Sequence, residues 1–318
     1  MKGIRIAALR RLGWRARVGA LALVAVGALA SGRPAAEKAP LGAVSDHVVV
    51  ISIDGLRPDA INKYELKTLR QLARSGSYSW EAQTIFPSKT LPSHTSMLTG
   101  VPPAVHGILW NDDQVGDKGL VQVPTIFELA KREGFTTAAF FSKSKFHHLQ
   151  KPGSLDYTQA PEGMDKWLAT RTVADVKSYL GRARPNLLFV HIGETDYAGH
   201  SIGWMSFAYK WAARRADVAV AHVLRSADAA FGSGNYTVIV TADHGGHGRN
   251  HGSDDPRDMT IPWIVWGRGV VTGQYLGTGI RTMDTAATVL WLLGVEAPAT
   301  FAGVPVTGAF TAAVAQAS

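Results

Sequence analysis

The chain has 318 residues, 46% hydrophobic and 18% charged, with 33 Gly, 15 Pro and no Cys. That is enough for one large domain or two modest ones; collagen-like, disordered and disulfide-scaffold classes are excluded, as are thiolate metal sites and a Cys nucleophile. The formal charge is +8, but residues 1–30 carry six basic residues (Lys2, Arg5, Arg10, Arg11, Arg15, Arg17) and no acid, which leaves the rest at +2 and implies no nucleic-acid partner.

In chain order, that basic stretch leads into the apolar run Val18–Ala30. The run falls short of the roughly 20 apolar residues a bilayer span needs. Ala28-Leu29-Ala30 supplies the small-x-small pattern of a signal-peptidase site. Residues 1–30 therefore read as a signal peptide, 31–45 as a flexible N-terminal segment and 46–318 as a single catalytic domain. The protein is expected to be exported, periplasmic or secreted, with no stable membrane anchor; an uncleaved anchor is the competing reading, and Arg10-Arg11 leaves twin-arginine export open.

From residue 47 apolar runs and helical patterns alternate. Residues 47–53 are a continuous apolar run, as in a strand covered on both faces. Helical spacing of Ile61, Leu66, Leu69 and Leu72 predicts a helix over 59–74, stopped by Ser75-Gly76. A helix follows over 123–133 with Pro124 near its start, then strands over 136–141 and 186–192. A long Ala-rich helix is expected over about 206–230, strands over 236–241 and 260–266, and a helix over 282–293 ended by Gly294. Pro262 suggests that the 260–266 strand lies at an edge or starts irregularly. Strands separated by helices indicate an α/β fold with a largely parallel central sheet flanked by helices.

In such sheets functional groups collect where strand carboxyl ends feed into loops. Four polar clusters sit there: Asp54-Gly55; Phe86-Pro-Ser-Lys-Thr90-Leu-Pro-Ser-His94; Glu194-Thr-Asp196-Tyr-Ala-Gly-His200; and Asp243-His244-Gly-Gly-His247 with Asn250-His251-Gly252. Singly, each has a plain explanation. Asp54 can cap a turn, Asp196 and His200 can be a surface i,i+4 pair, and Asp243-His244 a polar turn. Jointly, Asp and His following apolar strands form an oxygen/nitrogen set suited to Zn²⁺ or a similar ion. A Thr hydroxyl such as Thr90 is a poor nucleophile until a base or metal lowers its pKa.

Asp54-Gly55, Phe86–His94 with Leu98-Thr-Gly100, His106-Gly-Ile108, Asp196-x-x-x-His200 and Asp243-His-Gly245, in that order, resemble the alkaline phosphatase superfamily. The closest branch is the type I phosphodiesterase/nucleotide pyrophosphatase family. The resemblance runs from about residue 48 to 267 and implies an alkaline-phosphatase-like domain with two divalent ions, most naturally zinc. It implies one ion held by Asp54, Thr90, Asp243 and His244, and the other by Asp196, His200 and a later histidine. His251 is preferred for that last place and His247 is the alternative. The resemblance further implies a phosphothreonine intermediate on Thr90 and an Asn111 side chain against a phosphoryl oxygen; a loop turn is the alternative for Asn111. His94 and His106 are expected to be structural.

Sulfatase chemistry is disfavoured, because Thr90-Leu-Pro-Ser-His94 replaces the Cys or Ser followed by Arg that it needs. Two divalent ions, three Asp carboxylates and a Thr90 alkoxide sum to a formally neutral site, which favours a diester monoanion over a monoester dianion. The expected partner is a small phosphodiester or nucleotide. A phosphomonoesterase, a phosphonoacetate-type hydrolase and a non-catalytic metal-binding exported protein are the competing readings. Trp110 and Tyr197 are placed equally well on a base or under the loops, and Phe86 in the core.

Overall fold

Residues Val48–Ile53 form strand β1, and all six are buried. The computed structural model describes residues 43–162 and 168–315; the expected signal peptide and residues 31–42 lie outside them. Just before β1, the amides of Val44 and Ser45 donate to the Leu292 carbonyl. The other strands are β2 (Ser77–Gln83), β3 (Thr137–Phe140), β4 (Tyr157–Gln159), β5 (Leu187–Ile192), β6 (Thr237–Thr241), β7 (Thr260–Gly267) and β8 (Gln274–Tyr275). They make one sheet in the order β4-β3-β5-β1-β6-β7-β2-β8. Only β7 runs against the rest, antiparallel to both β6 and β2.

Twelve helices flank the sheet among the described residues. The first six are α1 (Pro58–Lys63), α2 (Lys67–Ser75), α3 (Thr90–Thr99), α4 (Pro103–His106), α5 (Val115–Lys118) and α6 (Ile126–Arg132). The second six are α7 (Ala169–Leu180), α8 (Glu194–Ile202), α9 (Phe207–Phe231), α10 (Pro256–Met259), α11 (Asp284–Leu293) and α12 (Ala312–Ala315). The apolar faces of α1, α2, α3, α6, α7, α9 and α11 and both faces of the central strands share one hydrophobic core.

The structure differs from the expected elements in places with local causes. The helix expected over 59–74 is two helices, broken where Glu65 adopts φ 53°. The helix expected from 123 starts at Ile126, because Thr125 and Glu128 form a reciprocal capping box and leave Pro124 outside. Of the two readings of Pro262, the edge fails because β7 is an interior strand, and the irregular start holds. The β2–β7 register shifts between Ser79 and Ala82, opposite Pro262, so no ladder bond is asked of its missing N–H. β2 has mixed composition and α7 lacks a capping residue at its start, where Leu168 stands at the N-cap, so neither was expected.

The register positions the site. Ile53 of β1 lies beside Ile192 of β5, and Ser52 beside both His191 and Thr241 of β6. The three central strands therefore end together, and Asp54, the start of α8 and Asp243 emerge side by side at one end of the sheet.

Candidate active site

Asp54 follows β1 directly and is fully buried. Gly55 after it takes φ 68°, and a Cβ there would lie 3.2 Å from the Cα of Asp196. Glycine thus lets α8 pack against the end of β1, while the Gly55 amide donates to Asp243 Oδ1 at 3.0 Å. Thr90 opens α3, with Oγ1 3.3 Å from His244 Nε2 and 3.5 Å from Asp54 Oδ1. His244 Nε2 lies 3.4 Å from Asp54 Oδ1 and 3.3 Å from Asp243 Oδ2. On the other side, His200 Nε2 lies 3.3 Å from Asp196 Oδ1 and 3.1 Å from His251 Nε2, and His251 Nε2 lies 3.6 Å from Asp196 Oδ1.

Two groups of donors are therefore close enough to hold divalent ions: Asp196, His200 and His251, and Asp54, Asp196 and His244. Asp196 belongs to both. The donor chemistry fits a metal in two independent ways. Asp196 Oδ1 and Asp243 Oδ2 are buried without a hydrogen-bond partner, which is costly unless a cation takes them. The Nδ1 atoms of His200, His244 and His251 each meet a backbone carbonyl (Arg249 at 3.0 Å, Gly245 at 2.8 Å, Ser88 at 2.8 Å). With Nδ1 as the donor, each ring presents an Nε2 lone pair to the site, the outer hydrogen bonding typical of metal-binding histidines.

His247 does not join the cluster. Its Nδ1 pairs with Asp258 Oδ1 at 2.7 Å, and its backbone closes a small turn with Asn250. Asn111 accepts the Leu91 amide on Oδ1 at 2.9 Å, which fixes its side chain against the start of α3. His94 is buried and bridges Ser52 Oγ and the Thr90 carbonyl, 2.8 Å each. His106 bridges Ser96 Oγ and the Ile108 amide. Phe86 is not in the core; it is 62% exposed on the loop before Thr90. Trp110 packs edge-on against His148 and donates to its Nε2 at 3.2 Å, whereas Tyr197 is exposed and lines a cavity.

Two residues absent from the sequence-based site stand in it. Lys143 places its ammonium 2.6 Å from Asp54 Oδ2 and 2.6 Å from Asp196 Oδ2, joining the two donor groups. His191 of β5 sets its Nε2 3.0 Å from Asp54 Oδ2 and its Nδ1 2.6 Å from Ser142 Oγ. The signals were present: a histidine inside an otherwise apolar strand, and Ser142-Lys-Ser-Lys145 at the carboxyl end of another. Lys143 and Lys145 both line a cavity of about 510 Å³ beside Asp196, His200, Tyr197 and Asp112.

Charges inside the cluster shape one another. Burial alone would raise Asp54, but Lys143 and hydrogen bonds from His191 and His244 hold it well below the usual carboxylate range. Burial followed by the Asp54 charge pushes Asp243 up to about 7. Burial would lower His244, yet Asp243 and Asp54 push it up to about 9. Burial and the charge on His244 press His251 down to about 3, so its ring is neutral. Burial and Lys143 lower Lys145 to about 8.

A family model for type I phosphodiesterase/nucleotide pyrophosphatase matches residues 48–252. The chain belongs to this family. An ectonucleotide pyrophosphatase/phosphodiesterase of Caenorhabditis elegans is 23% identical over 269 residues, 76% of this chain and 34% of the relative. Ectonucleotide pyrophosphatase/phosphodiesterase family member 1 of Homo sapiens is 23% identical over 233 residues, 65% of this chain and 24% of the relative. The chain thus spans a quarter to a third of the length of these curated relatives. An inactive form of murine ectonucleotide pyrophosphatase/phosphodiesterase 5, solved with AMP, superimposes with TM-score 0.73 at 16% identity over 84% of this chain and all of the other. The fold is therefore the α/β fold of the alkaline phosphatase superfamily.

Proposed function

We propose that this protein is an exported, metal-dependent phosphodiesterase that attacks phosphorus with Thr90. The observation that carries the reading is the position of Thr90 Oγ1 at the mouth of the two donor groups, within 3.5 Å of both His244 and Asp54. Asp54, Asp243, His244 and Thr90 would hold one divalent ion and Asp196, His200 and His251 the other, most naturally zinc for this oxygen/nitrogen set. Such ions lower the pKa of a bound hydroxyl and offset charge on the attacking and leaving oxygens.

The chain's own groups do the rest. Thr90 is the first residue of the ten-residue helix α3, whose N-terminal amides favour negative charge on Oγ1. Asn111, with its oxygen committed to the Leu91 amide, has its amide nitrogen free to donate to a phosphoryl oxygen. Thr90 Oγ forms a bond to phosphorus as the bond to the leaving oxygen breaks, giving a phosphothreonine; water then cleaves that Oγ–P bond and restores the hydroxyl. Nucleotide substrates are supported by the family membership and by the relative solved with AMP.

Lys143 favours a second reading. It adds one positive charge to the formally neutral count, so the site accommodates more negative charge than a simple diester brings. A phosphomonoester or a phosphonoacetate-type substrate meets that condition. Initial rates on bis-p-nitrophenyl phosphate, p-nitrophenyl phosphate and a nucleoside 5′-monophosphate p-nitrophenyl ester separate the two. The diesterase reading requires the first and third to be preferred. Retention of near-normal diester turnover by metal-loaded Thr90→Ala would remove the nucleophile assignment.

A further inference from the structure

Away from the site, four large apolar side chains within a short stretch of chain face solvent: Ile202 (51% exposed), Phe207 (73%), Trp211 (63%) and Val218 (54%). At about 100° per residue, Phe207, Trp211, Arg215, Val218, His222 and Arg225 lie within about 80° of one another on α9. The opposite face of α9, including Tyr209, Ala213, Val220 and Val223, is buried, so α9 needs no aromatic residues on its outward face for its own packing. A groove of about 500 Å³ runs between α7 and α9, its apolar lining from Val173, Ala174, Trp211 and Val218 and its cations from Lys177, Arg214 and Arg215.

On the groove face of these two helices basic side chains predominate; the α7 acid Asp175 lies off this face, lining a separate small cleft with Arg171 and Phe140. Asp217 is buried and accepts the Thr68 and Leu69 amides at 3.0 and 2.9 Å, and Asp228 accepts the Tyr236 hydroxyl at 3.2 Å. Glu194 is committed to Arg215 at 3.0 Å. Lys177, Lys210, Arg214 and Arg225 are left to set the potential of the face.

We propose that this α7–α9 face docks peripherally on an anionic lipid bilayer. Phe207 and Trp211 project where they can enter the acyl boundary, and the interleaved cations meet the headgroups, the composition of an interfacial helix. A second copy is a poor occupant, because it would set these cations against their own equivalents. Among the described residues no helix is long and apolar enough to cross a membrane, so the docking lies flat on the surface.

The absence of cysteine makes a local test direct. Val218→Cys carrying a nitrobenzoxadiazole label reads this face alone, and Val304→Cys, exposed on a loop outside both helices, is the control. Phosphatidylglycerol vesicles should shift emission to the blue at 218 and not at 304, and about 0.5 M salt should abolish the shift. Adding Phe207→Ser and Trp211→Ser should raise the lipid needed for half the shift by about tenfold or more. No shift with phosphatidylglycerol at low salt overturns the proposal, as does an equal shift with neutral phosphatidylcholine. A blue shift without vesicles that grows with protein concentration also overturns it, assigning the face to another copy of the chain.

Discussion

Lys143→Met tests the electrostatic account of the site. The lysine ammonium lies 2.6 Å from one oxygen of Asp54 and 2.6 Å from one of Asp196, and both carboxylates are buried. At an effective dielectric of about 20, each contact is worth about 6 kcal/mol of gross attraction. Desolvation of the three groups takes back much of that, and breaking a buried pair by deleting one partner typically costs about 3–5 kcal/mol. Methionine keeps most of the side-chain volume, so packing contributes little. Urea unfolding in EDTA at pH 8 should therefore show the variant less stable by about 3–5 kcal/mol. At saturating zinc the difference should shrink to about 1 kcal/mol or less, because divalent ions then supply positive charge to the same carboxylates. Equal losses in EDTA and in zinc would refute the reasoning, since a packing or folding defect does not depend on the metal. A loss below about 1 kcal/mol in EDTA would refute it too, by showing that the two carboxylates do not need the cation.

His251→Ala should lower bound zinc from two per chain toward one and remove most turnover, while His247→Ala should leave the metal content unchanged; elemental analysis of both variants decides between them. Acid stability has a defined direction at His106, which burial lowers from 6.5 to about 4. The Ile108 amide donates to Nδ1 at 3.0 Å, so a second ring proton breaks that bond. Because the folded value is depressed, this contribution is fully present above about pH 6.5 and is lost as pH falls toward 4, about 3 kcal/mol in all. Melting temperatures across pH 4–7 should show a shallower slope for His106→Gln than for the parent protein. Metal affinity should fall as pH drops from about 9 toward 6, because His244 (pushed up to about 9), Asp243 (about 7) and His200 (raised by Asp196) take up protons that compete with the ion; a zinc-binding curve flat from about pH 6 to 9 would contradict the donor assignment.

The strands and their ends were legible in the chain itself. Val48–Ile53, Leu187–Ile192 and Thr237–Thr241 are predominantly apolar, interrupted only by Ser52, His191 and the two terminal threonines, because both of their faces are covered, and that burial leaves a mark in composition. The polar residues directly after them announced where chemistry would gather, since α/β sheets present their loops at the carboxyl ends. Composition does not say which residues meet across 50 or 150 positions of chain. Asp54 acquires His191 and Lys143 only because β5 pairs with β1 and the loop after β3 folds over their ends. Lys143 stands in a polar stretch at the carboxyl end of an expected strand, but nothing local tells that its ammonium turns inward between two buried carboxylates. The choice between His251 and His247 is of the same kind. Both are histidines in one polar loop, and only the packing of that loop turns His251 Nε2 toward His200 while Asp258 holds His247 aside. Local burial and periodicity are written residue by residue in the sequence; the charge balance of the site depends on long-range pairings, and those exist only once the sheet has assembled.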